Sequence, residues 1–227
     1  MTEDKKKQDI VKDLIDKIDQ NPQEAENYYA LATVLVKQQS FDQAEELLVK
    51  ARGLFKDSHS VDLLTYGLGN VYYESGLYEK ANVEFQTIKD AHLKKDANLM
   101  IAQGYYAQSK YKLAFAFGLT ALEQNPHDAD TNELMGDVNL ALGDAPRAQK
   151  YYDAALENKN TAKLLFNRGV VEMTLTKKKT NIYFEQAKKI DKTTGEVSDI
   201  SSFNYLGQVE ICLLYTSDAA DDRISVD

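Results

Sequence analysis

The sequence is poor in the residues that mark several classes of protein. It contains no tryptophan, one cysteine, three prolines and 11 glycines among 227 residues. A single cysteine excludes a disulfide framework and a cysteine-based zinc site. The scarcity of glycine and proline argues against a β-sandwich, a β-barrel or a disordered linker. We therefore expect one or two globular domains with a sizeable hydrophobic core.

The sequence also lacks the signals of membrane or nucleic-acid proteins. No stretch of about 18 apolar residues occurs, so we expect no segment that spans a membrane. The run Met1–Lys7 has no apolar core of the kind that a signal peptide carries, which favours the cytoplasm as the location. The net charge of −9 argues against nucleic acid as the main partner.

Small residues recur through the chain at nearly constant intervals. In one series a small residue follows a bulky or long one, at Leu31-Ala32, Leu68-Gly69, Ile101-Ala102, Met135-Gly136, Arg168-Gly169 and Leu206-Gly207. A second series lies twelve residues further on, at Ala44, Ala81, Ala114 and Ala148. The two series share the same intervals, which indicates an internal repeat of about 34 residues.

The repeat predicts a helical hairpin. Small residues at positions 8 and 20 would let two antiparallel helices approach closely, and apolar residues recur around them at helical spacing. Glycine-containing turns, Ser75-Gly76 and Leu142-Gly143-Asp144, separate the expected helices. The pair Asn125-Pro126 closes the third repeat, since proline stops one helix and suits the start of another.

These residues resemble the tetratricopeptide repeat family. Besides the small residue at position 8 and alanine at position 20, the matches are Ala51, Ala121 and Ala155 at position 27 and Pro126 at position 32. The resemblance implies an all-α solenoid of helical hairpins, coiled into a right-handed superhelix. It implies about five repeats and a truncated sixth.

The expected domain organisation follows the repeats. Residues 1–24 form an N-terminal packing helix, and residues 25–211 form the solenoid. Its repeats lie near residues 25–58, 62–95, 95–128, 129–162 and 162–195, with a partial one at 200–211. The fifth is degraded, because aligning Phe184 and Ala187 requires a one-residue deletion.

Residues 212–227 do not continue the pattern. The segment Cys212–Asp221 resembles the conceptual translation of a transposon-end adapter used in sequencing libraries, so we interpret 212–227 as a non-native tail on a chain that would otherwise continue. The alternative is a genuine, divergent second helix, in which Ala219 would fall at position 20. The native C-terminus and the total repeat count stay open.

No catalytic, cofactor-binding or metal-binding constellation is apparent. His59, His92 and His127 lie at the repeat interval, in or near expected turns, which favours surface roles over metal ligation. The run Gly67-Leu68-Gly69-Asn70 lacks the third glycine and the preceding strand of a dinucleotide loop. We therefore expect a protein that is not an enzyme and needs no cofactor.

The resemblance also implies where a ligand binds. In the family, positions 2, 5, 9, 12 and 13 of each first helix usually face a concave groove. Carried onto this sequence, the predicted peptide-binding residues are Tyr29, Thr33, Tyr66, Asn70, Tyr73, Leu99, Gln103, Tyr106, Asp137, Phe166 and Val170. Tyrosine buries a large area and keeps a polar tip, while asparagine and glutamine can hydrogen-bond a peptide backbone. The alternative is that many of the aromatic side chains pack between repeats.

We therefore predict a scaffold or adaptor that binds an extended or helical peptide segment of a protein partner through apolar anchors. A clamp for acidic C-termini, which some members carry, is not expected, because Tyr66 replaces a lysine and residues 98–107 contain no Lys or Arg. One alternative is a peptide-responsive regulator whose effector part is missing. Another is an RNA-associated factor that uses the basic fifth repeat, where Lys177–Lys179 lie with Lys163, Arg168, Lys188, Lys189 and Lys192. Oligomeric state is not predicted.

Overall fold

The computed structural model describes residues 3–178 and 182–194, and every regular element within them is an α-helix. The helices are α1 (Glu3–Gln20), α2 (Ala25–Lys37), α3 (Phe41–Arg52), α4 (Ser58–Glu74), α5 (Tyr78–Thr87), α6 (Ala91–Ala107), α7 (Tyr111–Gln124), α8 (Ala129–Ala141), α9 (Ala145–Leu156), α10 (Ala162–Thr176) and α11 (Ile182–Thr194). Each even-numbered helix forms a hairpin with the helix that follows it. The predicted all-α architecture of helical hairpins is confirmed.

The chain divides between Gln124 and Asn125 into two compact units. In the first unit α1 packs on α2, and α2, α4 and α6 pack on one another in that order, each also against its hairpin partner. In the second unit α8 and α10 each pack against α9, and α11 packs against α10. The sequence interpretation treated residues 25–211 as one solenoid and did not include this division.

The small residues at position 8 accommodate large side chains from the second helix of the same hairpin. A Cβ atom on Gly69 would lie 2.4 Å from the Phe85 ring, and one on Gly136 would lie 2.4 Å from the Tyr152 ring. Both rings are buried, with 1% and 0% exposure. Close approach of the helices at position 8 is therefore an observed feature of these two hairpins.

The turns inside the first four hairpins share one backbone conformation. Gly76 and Gly143 have φ values of 78° and 79°, in the left-handed region that glycine adopts without steric cost. Gln39 and Ser109 occupy the corresponding position of two other hairpins with φ values of 59° and 58°. The four turns are therefore alike in shape although only two of them contain glycine.

Aspartate and threonine side chains cap several helices. Asp57, Asp90, Asp128 and Asp144 accept hydrogen bonds from backbone N–H groups in the first turns of α4, α6, α8 and α9. Thr161 does the same for α10. These bonds satisfy donors that have no partner within the helix, which fixes where these five helices begin.

Two further expectations concern the N-terminal packing helix and the degraded fifth repeat. The partly buried residues Val11, Leu14 and Ile18 of α1 pack against the core of the first unit. Helices α10 and α11 occupy the region assigned to the degraded fifth repeat, and Phe184 and Ala187 are buried there. The partial sixth repeat at 200–211 and the tail at 212–227 lie outside the described residues.

Candidate functional site

Three rows of side chains cross the first helices of the first unit. Residues four and seven apart lie on the same face of a helix. Repeat positions 5, 9 and 12, which lie on α2, α4 and α6, therefore form a regular array. We call this array the groove face. Its members are Tyr29, Tyr66 and Leu99 at position 5, Thr33, Asn70 and Gln103 at position 9, and Val36, Tyr73 and Tyr106 at position 12. All nine are half-buried, so each packs against the protein and keeps some accessible surface.

A pocket of about 590 Å³ opens on this face between α2 and α4. It is lined by Tyr29, Ala32, Thr33, Val36, Lys37, Gln39, Phe41, Tyr66, Gly67, Asn70, Val71, Glu74 and Met100. Four of the residues predicted from the sequence, Tyr29, Thr33, Tyr66 and Asn70, therefore line one cavity. The volume lies within the range of about 300 to 1,000 Å³ that is typical of ligand pockets.

Aromatic rings form much of the wall of this pocket. The ring centroids of Tyr29 and Tyr66 are 6.4 Å apart, and Tyr66 also packs against Phe85 at 5.5 Å. A Cβ atom on Gly67 would lie 3.1 Å from the Tyr29 ring, so the ring lies close over the α4 backbone. The wall is thus held in place by packing and offers a large apolar surface.

The polar groups inside the pocket are uncharged at neutral pH. Burial raises the pKa of Tyr66 to about 12, so its hydroxyl stays protonated. The Thr33 hydroxyl donates a hydrogen bond to the carbonyl oxygen of Tyr29 at 2.9 Å. The exposed side chains of Lys37 and Glu74 place one charge of each sign at the rim.

The other predicted residues of the first unit lie on the groove face but do not line this pocket. Tyr73 packs against Tyr78, with centroids 5.3 Å apart, and Tyr106 packs against Tyr111 at 5.6 Å. Each pair joins the end of a first helix to the start of its partner. Leu99 and Gln103 lie on α6 beside them.

The corresponding face of the second unit has a different chemistry. The Asp137 carboxylate accepts hydrogen bonds from the Tyr152 hydroxyl and, at 3.0 Å, from the Asn167 amide. Burial raises the pKa of Asp137. Lys163 Nζ lies 3.2 Å from a Glu133 oxygen and 3.8 Å from an Asp137 oxygen. These groups satisfy one another, so this face presents an internally paired polar network.

Two predicted residues of the second unit belong largely to its core. Phe166 is only 5% exposed, and its ring centroid lies 5.3 Å from that of Phe184 on α11. The partly buried Val170 packs against the same cluster. Little of the Phe166 side chain is therefore available to a ligand in this structure.

Sequence reasoning missed several residues of the pocket. Phe41 carried a signal, since an aromatic residue recurs at the entry of the second helix, at Phe41, Tyr78 and Tyr111, but Phe41 was not among the predicted groove residues. Gln39 lines the pocket from a turn in which its backbone is left-handed, a conformation that its residue type does not predict. Met100 follows Leu99 on α6, one position outside the pattern used to choose groove residues.

Ion pairs engage part of the basic fifth repeat. Arg168 is 2% exposed, pairs with Asp153 at 2.6 Å and Glu172 at 3.0 Å, and packs over the Tyr183 ring. Lys188 lies 3.3 Å from Glu185. Together with the pairing of Lys163, these contacts neutralise charges on which the RNA alternative depended.

Two kinds of feature are absent from the described residues. These residues contain no helix long and apolar enough to cross a membrane. Within the same part of the chain, no group of three or more His, Cys, Asp or Glu side chains is placed to hold a metal ion.

Comparisons with known proteins bear on the fold. Residues 29–87 match the family model described as tetratricopeptide repeat. No curated protein sequence matches the chain significantly.

Several solved structures share the fold. The chain is similar to YrrB, a tetratricopeptide repeat protein with an unusual peptide-binding site, with 21% identity over 81% of this chain and 93% of YrrB and a TM-score of 0.55. It is similar to pilF of Pseudomonas aeruginosa, with 18% identity over 87% and 86% of the two chains and a TM-score of 0.65. It is also similar to MamA, with 16% identity over 73% and 96% and a TM-score of 0.60. At these identities the similarity concerns the fold.

Proposed function

We propose that the chain binds a peptide segment of a partner protein on the groove face of its first unit. Residues 29–87 match the tetratricopeptide repeat model, and the chain shares the fold of solved tetratricopeptide repeat proteins, a fold that supports protein–protein interaction in general. The proposal makes the chain a binding scaffold with no catalytic step of its own. It narrows the predicted site to α2, α4 and α6.

One observation carries the proposal: the pocket between α2 and α4 joins an aromatic wall to a row of hydrogen-bonding side chains. Tyr29 and Tyr66 supply apolar area for an anchor side chain. Asn70 projects from the same face and can bond a peptide backbone, which every peptide possesses. This combination suits a ligand held by a few apolar anchors and by main-chain hydrogen bonds.

The corresponding face of the second unit is less suited to binding a peptide, which supports placing the site in the first unit. Its groove-position carboxylates, Glu133 and Asp137, already have partners within the protein. A ligand bound there would have to replace these contacts, at a cost in free energy. The pocket of the first unit offers apolar surface without breaking an ion pair.

Selection from a random peptide display library on the full-length chain tests the proposal. Selected peptides are then synthesised and their dissociation constants measured by isothermal titration calorimetry. We expect Tyr66→Ala to weaken binding by at least about tenfold, because truncating a buried aromatic anchor typically costs about 2 kcal/mol or more. Asn70→Ala should weaken it by a smaller factor.

Matched variants outside the groove face serve as controls. Tyr151→Ala removes a half-buried tyrosine from α9, and Gln86→Ala removes an exposed amide from α5. Both should leave the affinity unchanged. Peptides that bind equally well to the Tyr66→Ala variant would place the site elsewhere, and a selection that enriches no peptide would contradict peptide binding itself.

A further inference from the structure

The groove face repeats itself from hairpin to hairpin. Helix α2 packs on α4, and α4 packs on α6. The axes of packed helices are about 8 to 10 Å apart. A ligand that crosses these three helices therefore meets an equivalent set of positions 5, 9 and 12 about every 8 to 10 Å.

This interval selects among the conformations that a bound peptide can adopt. An extended β-strand returns a side chain to the same face after two residues, about 6.6 to 6.8 Å. An α-helix advances about 5.4 Å per turn. A polyproline II helix has three residues per turn and rises about 3.1 Å per residue, hence about 9.3 Å per turn. Its period alone among the three falls within the spacing of about 8 to 10 Å that is general for packed helices.

On this basis we infer that the ligand is a proline-rich segment in the polyproline II conformation, which lies across α2, α4 and α6 with one turn to each helix. The inference rests on the proposed function and names the class of peptide that the groove face takes. Proline-rich segments dock on aromatic-lined grooves, and their preformed conformation loses little entropy on binding.

The side chains of the groove face complement such a ligand. Tyrosines in the two outer rows, Tyr29 and Tyr66 at position 5 and Tyr73 and Tyr106 at position 12, offer flat apolar surfaces for proline rings. A polyproline II helix makes no internal hydrogen bonds, and proline has no N–H, so the ligand presents mainly carbonyl acceptors. The middle row supplies amide donors at Asn70 and Gln103.

The charge of the groove face agrees with a ligand of this kind. None of the nine side chains in the array carries a formal charge. The charged residues that line the pocket are Lys37 and Glu74, one of each sign, at its rim. Proline-rich segments supply apolar rings and uncharged carbonyls, so they match this surface without unpaired charges.

A set of three synthetic nonapeptides tests the inference on the full-length chain. The first has three Pro-Pro-Leu repeats, the second has the same composition with its leucines adjacent, and the third has three Ala-Ala-Leu repeats. Dissociation constants are measured by isothermal titration calorimetry. We expect the first peptide to bind at least about tenfold more tightly than either of the others, because only it presents leucine once per turn on one face.

Variants of the outer and middle rows locate the bound peptide. Tyr106→Ala and Gln103→Ala should each weaken binding of the Pro-Pro-Leu peptide several-fold, while Tyr106→Phe should retain most of the affinity, since the ring stays in place. Tyr151→Ala should have no effect. Circular dichroism of each variant verifies that the helices are intact. If loss of the Tyr106 ring unfolds the chain, the affinity of the Gln103→Ala variant still tests the inference.

The outcomes separate this inference from the proposed function. Library-selected peptides that bind on the groove face, together with equal affinity for the three nonapeptides, would overturn the polyproline II ligand and leave peptide binding intact. Tighter binding of the Ala-Ala-Leu peptide would also overturn it. Failure of every library and synthetic peptide to bind would contradict the proposed function, and the inference with it.

Discussion

At the scale of single residues, the side-chain volumes at positions 8 and 24 are complementary in three of the hairpins. The second and fourth hairpins combine glycine with a large ring, Gly69 with Phe85 and Gly136 with Tyr152. The first hairpin has Ala32 and Leu48 at the corresponding positions, both buried. In these three hairpins a larger residue at one position accompanies a smaller one at the other, which suits close packing of two helices. The third hairpin departs from this relation, because it has Ala102 and Gly118, both small and buried, at the two positions.

This complementarity gives a direct prediction. Gly69→Ala places a Cβ atom 2.4 Å from the Phe85 ring, so the ring must move, and overpacking of this kind costs about 1 to 3 kcal/mol. Adding Phe85→Leu recreates the pair found in the first hairpin and should restore part of the loss. Urea unfolding of both variants measures the free energies.

Gly53→Ala is the matched control, because its new Cβ atom would meet only two backbone oxygens, at 3.4 and 4.0 Å, which are ordinary contacts. It should leave stability unchanged or slightly higher. If Gly69→Ala behaves like Gly53→Ala, the close approach at position 8 does not constrain the hairpin.

Asp137 provides a second prediction, on pH dependence. Burial raises the pKa of this carboxyl above its value in the unfolded chain. On acidification the folded state therefore takes up the proton first, and Asp137 contributes stability that is gained as the pH falls toward about 4 and lost as it rises through the folded pKa. Asp137→Asn removes this contribution and keeps groups that can bond Tyr152 and Asn167.

The measurement compares the free energy of unfolding of the natural chain and the Asp137→Asn variant at pH 7, 5.5 and 4. The natural chain should gain stability relative to the variant as the pH falls. A difference that stays constant, or that changes in the variant's favour, would show that Asp137 is not held in an unfavourable charged state.

At the scale of elements, the first four hairpins have the same turn conformation but different residues in it. Gly76 and Gly143 suit a left-handed turn, whereas Ser109 adopts it with φ of 58°. A residue with a Cβ atom pays about 1 to 2 kcal/mol in this conformation. Glycine would remove that strain but would loosen the unfolded chain, which offsets about 0.4 to 1 kcal/mol of the gain.

Ser109→Gly should therefore stabilise the protein by about 0.5 to 1 kcal/mol, and Gly76→Ala should destabilise it by about 1 kcal/mol. Thermal unfolding followed by circular dichroism measures both shifts. The opposite signs make each variant the control for the other. A loss of stability in Ser109→Gly would mean that the serine side chain contributes more than its backbone strain costs.

Most of the fold could be predicted from the sequence, because hairpin packing depends on a few small residues at fixed spacing. Gly69 and Ala81 identify their hairpin before any helix is seen. The turns at Gln39 and Ser109 could not be read from residue type, since their shape is imposed by the helices on either side. The spacing of the repeats likewise did not predict that the chain divides into two units after Gln124.

At the scale of the whole molecule, similar repeat positions acquire different roles from their neighbours. Position 5 holds Tyr66 on a pocket wall in the first unit and a buried Phe166 in the second, where Phe184 packs on it. A sequence pattern locates both on the same face of their helices. It does not include the tertiary contact that buries one of them, so the candidate site could be predicted only in outline.

Photo-cross-linking tests the central claim, that a peptide binds on the groove face of the first unit. A library-selected peptide carrying a photoreactive leucine at its anchor position is irradiated with the full-length chain, and the adducts are mapped by mass spectrometry. We predict adducts on Tyr29, Tyr66 or Met100, which line the pocket between α2 and α4. Adducts confined to the exposed surfaces of α3 and α5, or to the second unit, would contradict the account.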